Sequence, residues 1–288
     1  MPLWKQILLG LYYPATSPYR YWNNRRMAAN GRAPVMVVLF HRIAYDWANS
    51  WTTHTETFVK DIRWLKNRFE MVSLEEAQRR VGLPQNDKPC VAVTFDDGYA
   101  VNCDVALPLL IEENIPCTYF VTTENVLHGT TFEHDTAMDN HFEPNTIAQL
   151  RDAAAAGIEI GAHTRTHPHL GRIVDANERY DEIVAARDDL QDALGYPVRR
   201  FAVPFGQHEH LSDEVFRLCH ESDFDCVVSA YGGYNWPGGD PFHLQRMGVD
   251  GPHLRMKNWT TVDPSKLLRI KRFSYSLEQA EPMMAGAV

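Results

Sequence analysis

Apolar and polar positions follow each other in blocks along this chain. APVMVVLF at 33–40 is a continuous apolar, β-branched run. It predicts a strand buried on both faces of a parallel sheet, and it ends at His41-Arg42. In THTETFVKDIRWLKNRF, Phe58, Ile62 and Leu65 recur at i, i+4 and i+7, the spacing of an amphipathic helix. Ser73 then reads as the N-cap of LEEAQRR, with Glu76 as its capping-box partner. The order repeats: a strand at 91–95, a helical pattern over 100–113 interrupted by Pro108, and a strand at 117–122. A helix at 145–156 opens after Pro144 and closes before Gly157, followed by a short strand at 158–162. A long helix over 175–194 closes at Gly195, and a strand at 200–203, a helix at 211–221 and strands at 225–229 and 244–249 complete the series. The longest stretch without a period, 123–143, predicts a lid or rim loop.

Strands alternating with helices imply parallel strands with crossover helices. About seven such units predict a single-domain α/β fold, a distorted (β/α)7-type barrel with parallel strands; an open doubly wound sheet is the alternative. The domain is expected over 33–255, with an N-terminal arm at 1–32 and a C-terminal tail at 256–288 that carries little pattern. In either architecture ligands bind at the C-terminal ends of the strands.

Composition narrows the function. The 288 residues are 44% hydrophobic, enough for one sizeable core. A net charge of −9 argues against a nucleic-acid partner, which needs a basic face. A neutral or cationic substrate, or one bound through a metal, fits better. Five cysteines without a CxxC argue against a disulfide framework or a zinc–thiolate site and favour a reducing compartment. No window of 18 apolar residues exists to span a membrane. The opening MPLWKQILLGLYYPATSPYRYW lacks the longer apolar core and the small-x-small site of a secretory signal. It is expected to pack on the domain as an arm. The apolar group Trp4, Leu8, Leu9, Leu11, Tyr12 and Tyr13 leaves peripheral membrane contact open. The expected location is cytoplasmic.

Four predicted strand ends carry residues suited to metal-assisted hydrolysis. His41 follows the first strand, Asp96 and Asp97 close VAVTFDDGY, His163 opens HTRTH, and Pro204-Phe205-Gly206 follow 200–203. His163 and His167 have ligand spacing, but Pro168 forbids a regular helix through them, so the segment is part turn. Alone, the pair reads more readily as two surface histidines than as ligands, and Asp-Asp-Gly as a plain turn. Together, two imidazoles and one carboxylate make a zinc set with a fourth position for water, and a second carboxylate can act as general base.

TFDDGY at 94–99, HTRTH at 163–167 and FAVPFG at 201–206 resemble the first three motifs of the polysaccharide deacetylases, the NodB-homology or carbohydrate esterase family 4 domain. ALPLLIEENIPCTYFV and LRDAAAAGIEIGAHT are also similar to that family, and the resemblance covers roughly 34–250. It implies a divalent metal, zinc first with Co2+ or Ni2+ as alternatives, held by Asp97, His163 and His167. It implies Asp96 as general base, and Phe205 with Pro204 in the substrate groove, the Phe205 N–H assisting the oxyanion. Two features depart from the pattern. The arginine of the third motif is replaced by Ala202, and the late motifs that carry the acid are not evident. The biofilm-type poly-N-acetylglucosamine deacetylases resemble a rearranged version with an early acid, which makes His41 in LFHRI the expected general acid. Arg246 in HLQRMGVD is the candidate to hold Asp96. His208, His210, His243 and His253 are rival acids, and Tyr99 and Trp236 are candidates to stack on a sugar. The expected function is removal of N-acetyl groups from an N-acetylated sugar or polysaccharide. O-acetyl or cyclic amide hydrolysis at the same site, and glycan binding without catalysis, are the alternatives. The oligomeric state is left open.

Overall fold

The structure, a computed structural model, describes residues 3–46 and 48–278. Its strands in chain order are β1 (Val35–Phe40), β2 (Arg42–Ala44), β3 (Thr52–His54), β4 (Glu70–Met71), β5 (Cys90–Phe95), β6 (Cys117–Val121), β7 (Glu159–Ala162), β8 (Arg200–Ala202), β9 (Cys226–Ser229), β10 (His243–Gln245) and β11 (Met247–Gly248). The main sheet runs β10-β9-β8-β7-β6-β5-β1-β11, with β4 also paired to β5, and every pairing is parallel. β2 and β3 form a separate ribbon.

The expected last strand at 244–249 is two short strands with Arg246 between them. β10 pairs with β9 at one end of the order and β11 with β1 at the other. One short segment therefore closes the sheet into a single distorted parallel barrel. β1 and β5 are buried along their whole length. Met36, Val38, Phe40, Val91, Val93 and Phe95 join the large core shared with the surrounding helices. The alternate residues Val35, Val37, Cys90 and Ala92 join a second cluster with Phe120, Ala202 and Val228. This is the two-residue period of a strand covered on both faces.

The helices follow the pattern with local exceptions. Helix Thr55–Lys66 buries Phe58, Ile62 and Leu65. Ser73 accepts the Glu76 N–H at the start of helix Leu74–Gly82. The pattern over 100–113 resolves into a 3-10 turn, Ala100–Cys103, and helix Ala106–Glu112. Pro108 sits in the first turn of that helix, where its missing N–H costs no bond. The run over 175–194 is continuous but contains a π-helical segment, Asp181–Ala185. The aperiodic 123–143 holds two short helices, Thr123–His128 and Glu133–Thr136. The arm is a helix, α1 (Leu3–Ala29), packed on helix His253–Thr260. The expected tail includes helix Pro264–Arg269, and 279–288 lie outside the described residues.

The turn after β5 depends on Gly98. Its φ is +101°, and a Cβ there would meet Val121 at 3.2 Å and Val126 at 3.3 Å. Gly98→Ala should lose about 1–3 kcal/mol of stability in urea unfolding. An unchanged midpoint would show that the turn relaxes without strain.

Candidate active site

Asp96 and Asp97 follow β5. On a continued strand, neighbours would point to opposite faces. The chain turns instead: Asp97 has φ +75°, followed by Gly98. Asp96 N–H donates to the Phe40 carbonyl of β1, and the Asp97 carbonyl accepts from Thr122 N–H after β6. Pinned between two strand ends, both carboxylates are buried. They line one cavity of about 380 Å3 with His41, His163, His167, Phe205 and Asp250.

β7 delivers His163. The segment beyond it is a turn with Thr164 at φ +65° and His167 at φ +62°. His163 Nδ1 lies 2.8 Å from the Ala202 carbonyl oxygen. A carbonyl only accepts, so Nδ1 carries the proton and the Nε2 lone pair faces the carboxylates. His163 Nε2 and His167 Nε2 each stand 3.6 Å from Asp97 Oδ1. Beneath the turn, Glu182 accepts from Arg165 N–H at 3.0 Å, Thr166 N–H at 2.9 Å and Thr166 Oγ1 at 2.7 Å. Glu182 belongs to the π-helical segment, an irregularity that often marks functional sites.

Asp97, His163 and His167 bring ligand atoms within 4.8 Å of one another. Asp97 Oδ1 is buried with no hydrogen-bond partner among the described residues, a costly state for a carboxylate oxygen unless a cation meets it. Burial lowers the pKa of His163, and lowers that of His167 well below the usual histidine range. Both imidazoles are therefore held neutral, the form that ligates. The donor set fits a divalent cation.

Asp96 is held differently. Arg246, fully buried, donates Nη1–H to Asp96 Oδ1 at 2.6 Å and Nη2–H to Oδ2 at 2.7 Å. Its Nε–H reaches the Ser229 carbonyl at 3.2 Å, and the guanidinium lies 5.2 Å from the centre of the Phe120 ring. Burial alone would raise the Asp96 pKa, but Arg246 and His163 outweigh it, and the carboxyl is held below its usual range. Across the cavity, His41 Nδ1 meets Asp250 Oδ2 at 2.7 Å, and His41 N–H donates to Asp250 Oδ1 at 3.2 Å. Burial opposes charge on His41, but Asp250, with help from Asp97 and Asp96, lifts its pKa to about 9.

The other predicted residues divide. Phe205 is 48% exposed at the rim, its ring 4.7 Å from that of His167. Pro204 is buried behind it. Tyr99 is not on a sugar face: it is fully buried, and its ring packs on Phe132 at 4.4 Å. Its hydroxyl donates to Asp135 at 2.5 Å, accepts from Trp51 Nε1 at 3.1 Å and lies 3.0 Å from His134 Nε2. Trp236 packs against the core. His243 is bonded to Ser229 and has its pKa pushed down to about 3 by burial, and His253 pairs with Asp61. Neither these two nor His208 and His210 line the cavity. The sequence reading missed Asp250, Trp51, His134, Asp135 and Glu182. Asp250 ends the quoted HLQRMGVD, and its place after a predicted strand was the available signal. The loop residues and the π segment offered none.

Two outcomes are expected. Arg246→Met strands a buried carboxylate and should cost about 3–5 kcal/mol in urea unfolding, with part recovered in Asp96→Asn/Arg246→Met; equal losses in single and double variants would deny the coupling. Because the folded pKa of His41 is raised from 6.5 to about 9, its pairing stabilises fully below pH 6.5 and is lost as pH rises through about 9. Asp250→Asn should flatten the stability–pH curve across that window, and an unchanged curve would deny the pairing.

The polysaccharide deacetylase family profile matches residues 84–220. YxkH of Bacillus subtilis, named as a polysaccharide deacetylase, is 26% identical over 182 residues, covering 59% of this chain and 58% of YxkH. The chitooligosaccharide deacetylase of Bradyrhizobium is 32% identical over 119 residues, covering 40% of this chain and 46% of that protein. The chain thus spans less than three fifths of the length of these curated relatives. Among solved structures, IcaB from Ammonifex degensii superposes with a TM-score of 0.66 at 21% identity, covering 80% of this chain and 97% of IcaB. The Streptococcus pyogenes deacetylase PplD in complex with acetate gives 0.65 at 18% identity, covering 80% and 99%. Those two likenesses establish the fold. The three motifs meet in one cavity of that fold, and all three lie within residues 84–220, the stretch that is similar to the polysaccharide deacetylase family.

Proposed function

We propose that this protein is a metal-dependent hydrolase that removes N-acetyl groups from an N-acetylated sugar or polysaccharide, releasing acetate. One observation carries the reading: Asp97 Oδ1, buried and unpartnered among the described residues, faces two neutral imidazoles. Beside it stand a carboxylate clamped by arginine and a histidine held in its charged form. Asp97, His163 and His167 would hold the cation. Zinc suits two imidazoles and a carboxylate with an open position, and Co2+ and Ni2+ take the same donors. When bound, the cation supplies Lewis acidity, acidifying a water and withdrawing electron density from an acyl oxygen.

The remaining work belongs to the chain's own residues. Asp96, kept ionised by Arg246, accepts the proton of the attacking water. His41, kept protonated by Asp250, gives a proton to the amine nitrogen as the C–N bond breaks. The water oxygen leaves in acetate, and the amine leaves with the proton. The Phe205 N–H is the proposed donor to the acyl oxygen as negative charge builds there. Two groups pushed to opposite charge states in one cavity are the usual basis for dividing acid and base roles.

The groove supports a glycan substrate. A second cavity of about 400 Å3 shares His134, His167 and Phe205 with the first, so a chain of sugars can lie across the rim. The Bradyrhizobium relative is named for chitooligosaccharides, an N-acetylated glycan. An early acid, His41 just past the first strand, favours the poly-N-acetylglucosamine type of deacetylase.

Acetate release should be measured on chitooligosaccharides, poly-N-acetylglucosamine oligomers, acetylated xylan and cyclic ureides. Release from the N-acetylated glycans is expected. Release from xylan alone, or ring opening alone, would replace the substrate class, and no turnover by the metal-loaded protein would make it a binding protein. Asp96→Asn should lower kcat by about 10²–10⁴ while leaving metal stoichiometry unchanged. His163→Ala should lose metal binding by titration calorimetry. Near-full turnover of Asp96→Asn would refute the base assignment.

A further inference from the structure

The N-terminal helix α1 is inverted relative to an ordinary surface helix. Such a helix turns its apolar stripe inward and its polar residues to water. In α1 the half-buried and buried positions recur every three to four residues, through 9, 12, 13, 16, 17, 20, 23, 24, 27 and 28. Thr16, Ser17, Arg20 and Asn24 lie on this inward face. Arg20 is buried, and donates to the Asn258 carbonyl at 2.9 Å and to its Oδ1 at 2.7 Å. Asn24 donates to the Thr261 carbonyl at 3.2 Å, and Tyr12 OH to Asp263 at 2.7 Å. These polar bonds fix the rotation of the helix, and so determine what faces outward.

The outward face carries Ile7, Leu8, Leu11, Tyr19 and Trp22, which are 56, 56, 69, 49 and 53% exposed. At 3.6 residues per turn they fall in one stripe. The one charged residue between Ile7 and Trp22 is Arg20, turned inward. A contiguous apolar face of this length marks an interaction surface.

Charge indicates what it meets. Residues 1–32 hold five basic side chains, Lys5, Arg20, Arg25, Arg26 and Arg32, and no acid, in a chain whose net charge is −9. Arg25 and Arg26 are exposed where the stripe ends, over the rings of Tyr21 at 4.9 Å and Trp22 at 5.4 Å. Behind them a groove of about 510 Å3 between α1 and the domain is lined by Arg20, Arg25, Arg68, Tyr21 and Trp64, among others. An apolar, aromatic-edged stripe that ends in cations is complementary to an anionic lipid surface. No helix among the described residues is long and apolar enough to cross a membrane, so the geometry is that of a helix lying in the interface.

We propose that the outward face of α1 docks this protein on an anionic phospholipid bilayer, with the Ile7–Trp22 stripe at the headgroup–acyl boundary and Arg25 and Arg26 on lipid phosphates. None of the residues lining the cavity around Asp97 comes from α1. α1 also enters the barrel at the start of β1, whereas the candidate site lies past the strand ends. Docking therefore leaves the cavity open, and the inference stands independently of the deacetylase reading.

The test is co-sedimentation of the full chain with phosphatidylcholine vesicles, with and without roughly 30 mol% phosphatidylglycerol. The anionic vesicles should bind at least about tenfold more tightly, with a blue shift of tryptophan emission and loss of binding at raised salt. Arg25→Glu/Arg26→Glu should abolish the preference for anionic lipid, and Leu8→Glu/Leu11→Glu should abolish binding. Both variants should keep the circular dichroism of the parent and its acetate release from soluble chitooligosaccharides. No partition at low salt, or either variant binding like the parent, would overturn the proposal. So would self-association through this face, lost in Leu8→Glu/Leu11→Glu, in a protein that ignores vesicles.

Discussion

The buried pair between Arg246 and Asp96 is the contact on which the rest of this site depends. A guanidinium removed from water costs several kcal/mol unless its donors are met by charge and hydrogen bonds. Here both oxygens of Asp96, the Ser229 carbonyl and the Thr94 hydroxyl meet them. Arg246 is also the residue at which the closing segment changes partners, from β9 on one side to β1 on the other. One side chain thus sits at the seam of the barrel and ties it to the end of β5. The same bond that satisfies the seam keeps Asp96 ionised in a buried cavity.

Fixed partners leave the Asp97 carboxylate available. Asp96 is taken by Arg246, His41 by Asp250, and His163 Nδ1 by the Ala202 carbonyl. Asp97 Oδ1 alone among these groups has no hydrogen-bond partner among the described residues, and it faces the two neutral imidazoles. Two adjacent carboxylates at a strand end would repel each other in water-poor surroundings. The structure separates their surroundings instead, with one facing a cation of the protein and the other facing metal-ligand atoms. The left-handed turn at Asp97 and Gly98 lets two sequence neighbours reach one cavity without continuing the strand.

The rim is held by a second network. Tyr99 draws together Trp51, His134 and Asp135, and Asn49 adds a bond to Asp135 at 2.8 Å. Segments near 50 and 134 are thereby fastened over the metal-ligand set, with His134 Nε2 3.9 Å from Asp97 Oδ2. A tyrosine beside two catalytic-looking aspartates suggests a sugar platform from the sequence. Its burial makes it a tie between loops, leaving the half-exposed Phe205 and Trp51 as aromatic rings lining the cavity.

Much of the architecture was legible in the order of residues. Strands such as VMVVLF, buried on both faces, announce themselves as continuous apolar runs, and the helix caps at Ser73 and Gly195 follow from local hydrogen bonding and backbone freedom. The clustering of Asp96, Asp97, His163 and His167 was legible too, because parallel strands place their C-terminal ends on one rim. Tertiary structure alone decided the rest. The split of one expected strand into β10 and β11, the bond from Asp250 to His41 across 209 residues, and the support of the histidine turn by Glu182 each join elements distant in the chain or through an irregular helix. Local propensity carries no trace of such contacts, since a buried charge chooses its partner by where the closed barrel puts it. For the same reason the sequence showed that the arm has an apolar group, while only its polar anchors on Asn258, Thr261 and Asp263 decided that this group faces outward.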